Sequence, residues 1–171
     1  MRKLLVSVMV AALLFAGCSR NTKQQAAASG GMALDQAIAE AAESIDSRID
    51  AGTKIALINV ESPSNRLTSY VLDELQAHLV DSGKLSVVDY RQIDTIRAEF
   101  NFHASGELSD DSLMELGRFF GVQSIVTGSL TELGGSYRMV IRVLNAQNAA
   151  VVAQYRTNVA ADNQIRALIG E

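Results

Sequence analysis

The chain has 171 residues, 48% hydrophobic and 20% charged, a balance that fits one globular domain with a short appendage and excludes disordered and collagen-like proteins. A single Cys rules out an internal disulfide, and two His with no Trp leave little material for metal or nucleophilic chemistry. The formal charge of −4 argues against a nucleic-acid partner, because that binding depends on Lys and Arg displacing counterions from phosphates.

Arg2 and Lys3 precede an uncharged apolar run from Leu4 to Ala16, which is followed by Gly17 and Cys18. The run is shorter than the roughly 18 to 20 residues that span a bilayer as a helix, and its basic start and small-residue end fit a secretory leader. Phe15-Ala16-Gly17-Cys18 resembles the bacterial lipobox, in which cleavage precedes a cysteine that carries lipid. That resemblance implies a signal peptide over residues 1–17 and lipidation of Cys18, with a diacylglycerol thioether and an amide-linked acyl chain such as palmitate. Each buried methylene contributes about 0.8 kcal/mol and more than one chain anchors stably, so a membrane is the first expected partner. Ser19, in place of Asp, points to the outer membrane, facing the periplasm, by the sorting rule of enteric bacteria. Residues 18–31 are then the lipidated Cys and a flexible tether, since Ser19 to Gly31 is small, polar and aperiodic. Fully extended, that tether reaches at most about 45 Å.

Residues 32–171 are expected to form one domain. Leu34, Ile38, Ala41, Ile45 and Ile49 recur every three or four residues and predict an amphipathic helix over 33–50, stopped by Gly52. Lys54 to Val60 is a β-branched apolar run that predicts a buried strand. Ser64 or Asn65 caps a helix carrying Leu67, Val71, Leu75 and Leu79, with Gly83 as its stop. Leu85 to Val88 is a short strand, and Asp89 with Gln92 has the form of a capping box before a helix marked by Ile93, Ile96 and Phe100. Ser109, with Asp110 and Asp111 in the first turn, opens a helix that buries Leu113, Leu116 and Phe120 and closes at Gly121. Ser124–Leu130, Tyr137–Asn145 and Val151–Val159 read as strands joined at Gly134-Gly135 and Ala146–Ala149, an antiparallel meander. The sum is an α/β domain: a mixed β-sheet packed by helices, ordered strand, helix, strand, helix, helix, strand, strand, strand after an N-terminal helix.

Few residues offer chemistry. Ser82-Gly83-Lys84 lacks the upstream Gly and the following Ser or Thr of a phosphate loop and reads as a helix stop. Gly128 to Gly135 lacks dinucleotide-binding spacing, His78 and His103 share no metal-ligand frame, and Asp110-Asp111 lacks the alternating oxygens of a calcium loop. No enzyme activity, cofactor or metal is therefore expected. Arg138 and Arg142 fall on one side of their predicted strand, as a solvated face or as a basic ladder for an acidic partner. The loop from Asn101 to Leu108, His103 included, is a second candidate contact.

Ser109 to Ser112, Leu116 to Leu130 (LGRFFGVQSIVTGSL) and Tyr137 to Asn145 (YRMVIRVLN) resemble the family of cell-envelope lipoproteins that includes the curli secretion protein CsgG and the peptidoglycan-synthase activator LpoB. Lys54 to Val60 and Val87 to Arg91 extend the likeness over most of the domain. It implies a fold similar to the N-terminal domain of TolB and a lipid-anchored, non-catalytic domain. The expected partner is another envelope protein, either a secretion component or a penicillin-binding protein, or further copies of itself. A CsgG-type assembly role is the leading expectation, an LpoB-like activator of a penicillin-binding protein the alternative, and a carboxylate-dependent cell-wall hydrolase the third. No segment outside the meander has the roughly ten-residue alternation of membrane strands, so a pore built by this chain alone is not expected.

Overall fold

A computed structural model of the chain describes residues 31–89, 91 and 109–170. The order is α1 (Leu34–Arg48), β1 (Lys54–Glu61), α2 (Asn65–Asp81), β2 (Ser86–Val88), α3 (Asp110–Phe120), β3 (Ser124–Leu133), β4 (Ser136–Asn145), β5 (Val151–Ala160) and α4 (Asn163–Ile169). The strands make one sheet ordered β2-β1-β3-β4-β5. β1 runs parallel to β2 and β3, while β3, β4 and β5 form the predicted antiparallel meander. The mixed α/β class expected from the sequence is what the chain adopts.

Local signals set most boundaries. Ser64 caps α2 by accepting from the Leu67 N–H at 3.1 Å, and Ser109 caps α3 by accepting from the Ser112 N–H at 3.2 Å. α1 stops at Arg48, earlier than predicted, because Ile49 turns extended while keeping its side chain in the core. Leu133 pairs with Ser136 across Gly134 and Gly135, both at positive φ, the backbone that a two-residue hairpin needs to match strand twist. Of the proposed capping box, the Asp89 carboxylate accepts from the Arg91 N–H at 3.0 Å. Gln92 and the helix expected behind it lie outside the described residues.

The sheet is covered on both faces, unequally. On one face α1, α2 and α4 enclose a core that includes Leu34, Ile38, Ile45, Leu57, Leu75, Met139, Ile141 and Ile165, all essentially fully buried. Burying side chains of this size stabilises by about 1.5–3 kcal/mol each. On the other face α3 places Leu113 and Leu116 over Ala56, Ile58, Ile125, Leu144 and Ala146. α3 can lie close because Gly117 has no side chain: a Cβ there would stand 2.8 Å from the Ala146 Cβ.

A bulge in β1 divides these faces. Leu57 pairs with Val126 and Asn59 with Thr127, so Ile58 is an extra residue in β1. Beyond it, Val60 returns to the three-helix core while Asn59 joins the row of Thr127. A second shift, between Val143 and Leu144, leaves Val152 unpaired in β5.

α4 was not anticipated. Asp162 caps it, accepting from the Ile165 N–H at 3.1 Å. At its other end the Ser64 hydroxyl donates to the Leu168 carbonyl at 2.8 Å and Arg66 donates to the Ala167 carbonyl at 3.2 Å. One cap residue thus serves the start of α2 and the end of α4.

A polar tie joins the three helices. The Tyr70 hydroxyl donates to Asp35 Oδ1 at 2.7 Å, and Gln164 Nε2 donates to the same oxygen at 2.8 Å. The bond to Asp35, with some loss of solvent, pushes the Tyr70 pKa up from about 10 to about 12. A tyrosine raised in this way adds stability that is complete below pH 10 and disappears as pH climbs through 12. The intact chain should therefore melt higher than a Tyr70→Phe variant at pH 8, with the difference shrinking as pH rises past 10. A difference independent of pH would show that the hydroxyl's proton plays no part.

The candidate docking face

Among the described residues, α3 covers only one end of its side of the sheet. Beyond Leu144 and Ile125, the outward residues of β3, β4 and β5 align in rows across the meander. Thr127, Arg142 and Gln154 form one row, Ser129, Val140 and Arg156 the next, and Thr131, Arg138 and Asn158 the third. The alternation that sends Met139, Ile141 and Val143 into the core sends Arg138, Val140 and Arg142 outward. Arg138 and Arg142, expected on one side of one strand, share this face.

Arg156 was missed. It stands opposite Val140, diagonal to both Arg138 and Arg142. Diagonal neighbours on adjacent strands are about 7–8 Å apart, within reach of long side chains. The three arginines therefore surround Val140 in register on one face. Arg138 is steadied by its Nε donating to Asn158 Oδ1 at 2.6 Å, while Arg142 and Arg156 are exposed. No carboxylate pairs with any of the three among the described residues, where the one ion pair, Arg91 with Asp73, lies on other elements. Glu61, in the row of Ser129 and Val140, has β3 between it and the strand of Arg138 and Arg142, and both β3 and β4 between it and Arg156, while Glu132 pairs with Tyr137 in a row that alternates to the other side of the sheet.

The free edge of β5 is guarded. Met32 exchanges backbone hydrogen bonds with Asn158 and Ala160, and Arg48 donates from Nη1 to the Gln154 carbonyl at 2.8 Å. A charged side chain at an open strand edge discourages strand addition by another chain. On the outward sheet face, by contrast, Arg142, Gln154 and Arg156 are exposed.

Other sequence candidates fall elsewhere. Cys18 and His103 lie outside the described residues. His78 sits exposed on α2, and Gly83, at positive φ, follows the end of that helix as expected. Among the described residues no group of His, Cys, Asp or Glu is arranged to hold a metal, and no helix is long and apolar enough to cross a membrane. Tyr155 donates to Glu40 Oε2 at 2.9 Å, and partial burial and this bond raise its pKa; like Tyr70, it holds its proton more firmly than a free phenol.

No curated protein matches the chain. Among solved structures, the LpoB C-terminal domain from Escherichia coli is similar at TM-score 0.61 and 13% identity, over 74% of this chain and 97% of that one. The NMR structure of E. coli LpoB is similar at TM-score 0.59 and 12% identity, over 84% of this chain and 76% of that one. Lipoprotein GNA1162 from Neisseria meningitidis is similar at TM-score 0.51 and 12% identity, over 66% of this chain and 83% of that one. At such identities the likeness is one of fold, and the expectation of a CsgG type receives no support from it. The model of the FlgO protein family matches residues 32–164, well over half of the sequence, and the chain belongs to that family.

Proposed function

We propose that the protein is a lipid-anchored, non-catalytic component of the bacterial envelope that works by binding another envelope protein, and that the partner is a penicillin-binding protein whose peptidoglycan synthesis it stimulates. The observation that carries this reading is the LpoB-like fold, matched over 97% of the E. coli domain, which favours the LpoB alternative over the CsgG expectation. The outward face of β3, β4 and β5 supplies a surface for docking, and Cys18 supplies the anchor. Residues 19–31 connect the two, keeping the domain within tens of ångströms of the lipid surface.

Two measurements test this. The full-length chain in its native host should incorporate labelled palmitate, and a Cys18→Ser variant should not. Detergent-solubilised full-length protein should bind a penicillin-binding protein of the same organism and raise its glycan polymerisation rate several-fold. Failure to bind or stimulate any of the host's bifunctional synthases overturns the activator reading, and an unlabelled wild-type chain overturns the anchor.

A further inference from the structure

We infer that the outward face of β3, β4 and β5, centred on Val140 and ringed by Arg138, Arg142 and Arg156, docks an acidic segment of a partner protein. This rests on the reading above that the domain acts by protein binding, and it adds the site and the chemistry of what binds.

The first argument is charge. The chain as a whole is acidic, at −4, yet this face gathers three arginines without a paired carboxylate among the described residues. Like charges gathered on neighbouring strands repel, and among the described residues no ion pair with a carboxylate offsets this for Arg138, Arg142 or Arg156. Arginines placed this way gain when carboxylates arrive from outside, because each planar guanidinium takes a carboxylate through two parallel hydrogen bonds.

The second argument is construction. Arg138 is held by Asn158, which limits the rotamer freedom lost on binding. Val140, half-buried between the arginines, offers an apolar centre with a charged rim, the common layout of protein interfaces. Among the described residues, α3 packs over the opposite end of the face and not over this one.

The test uses the full-length chain in its native host. A photo-crosslinking amino acid is placed at Gln154 on the face or, as control, at Glu43 on the exposed side of α1, and adducts are identified by mass spectrometry. The expected result is an adduct at Gln154, not at Glu43, to an acidic segment of an envelope protein. It should disappear when Arg142→Glu and Arg156→Glu are added. A synthetic peptide of the captured segment should bind the purified full-length protein, with affinity falling at least fivefold from 50 to 300 mM NaCl and at least tenfold in the double variant.

The milder Arg142→Gln, Arg156→Gln pair should lose less, and Arg142→Lys, Arg156→Lys should keep the salt dependence. All three pairs should melt within a few degrees of wild type, because both side chains are exposed. An acidic segment from a protein other than a penicillin-binding protein upholds the docking face and overturns the synthase reading. Adducts only to lipid or glycan, only to a second copy of this chain, or to a segment without excess acidic residues overturn the docking proposal. So does binding of the peptide unchanged by the double variant.

Discussion

Leu75→Ala is expected to lower stability by about 3 kcal/mol, within the 2–5 kcal/mol typical of buried leucines. Leu75 is fully buried on α2, in the core that joins α1, α2 and α4 to the sheet. Truncation removes three carbons from contacts that the rigid sheet cannot move to refill, so a cavity term adds to the lost transfer energy. Each kcal/mol moves the melting temperature by roughly 2–4 °C in a domain of this size, giving a fall of about 10 °C. Because this core ties the strands to three helices, with even the short β2 packing Val87 against it, a single cooperative transition should shift as a whole. Thermal melting followed by far-ultraviolet circular dichroism checks it, and a loss under 1 kcal/mol would mean the three-helix face is not the main core.

Gly117→Val should behave differently. The new Cβ meets the Ala146 Cβ at 2.8 Å and the Ile125 Cδ1 at 3.3 Å, and Ala146 is backed by the turn after β4. α3 must lift, and overpacking of this kind costs about 1–3 kcal/mol against a helix-propensity gain of only a few tenths. The second core has few members beyond Leu113, Leu116, Ile125 and Leu144, so the damage should stay local. Hydrogen exchange should speed up in α3 with little change in α1 or α2. Adding Ala146→Gly removes the opposing methyl and should recover part of the loss, a coupling that a double-mutant cycle reads directly. Equal exchange throughout the domain would show that α3 cannot separate from the rest.

The candidate face shows how far residue patterns reach. Arg138 and Arg142 were legible because period-two alternation in one strand fixes which side chains share a side. Arg156 was not, because pairing it with Val140 depends on the register between β4 and β5, and that register contains a bulge at Val152. A strand's own sequence does not state where its neighbour slips by one residue. The same limit hid the β1 bulge at Ile58, which sends Asn59 to the open face. α4 escaped notice for another reason. A seven-residue helix is too short to form alone, and its one fully buried residue, Ile165, gives no periodic signal.

The amino-acid order by itself determined the α/β class, the caps at Ser64 and Ser109, the meander with its Gly134-Gly135 turn, and the apolar sides of α1 and α2. Each of these is a local matter of periodicity, backbone freedom or a side chain satisfying an amide within a few residues. Tertiary structure alone decided the strand order, the two bulges, the docking of α4 on Ser64 and Arg66, and the gathering of Arg156 with Arg138 and Arg142. Those follow from contacts between residues far apart in the chain, whose energies exist only once the whole domain has packed.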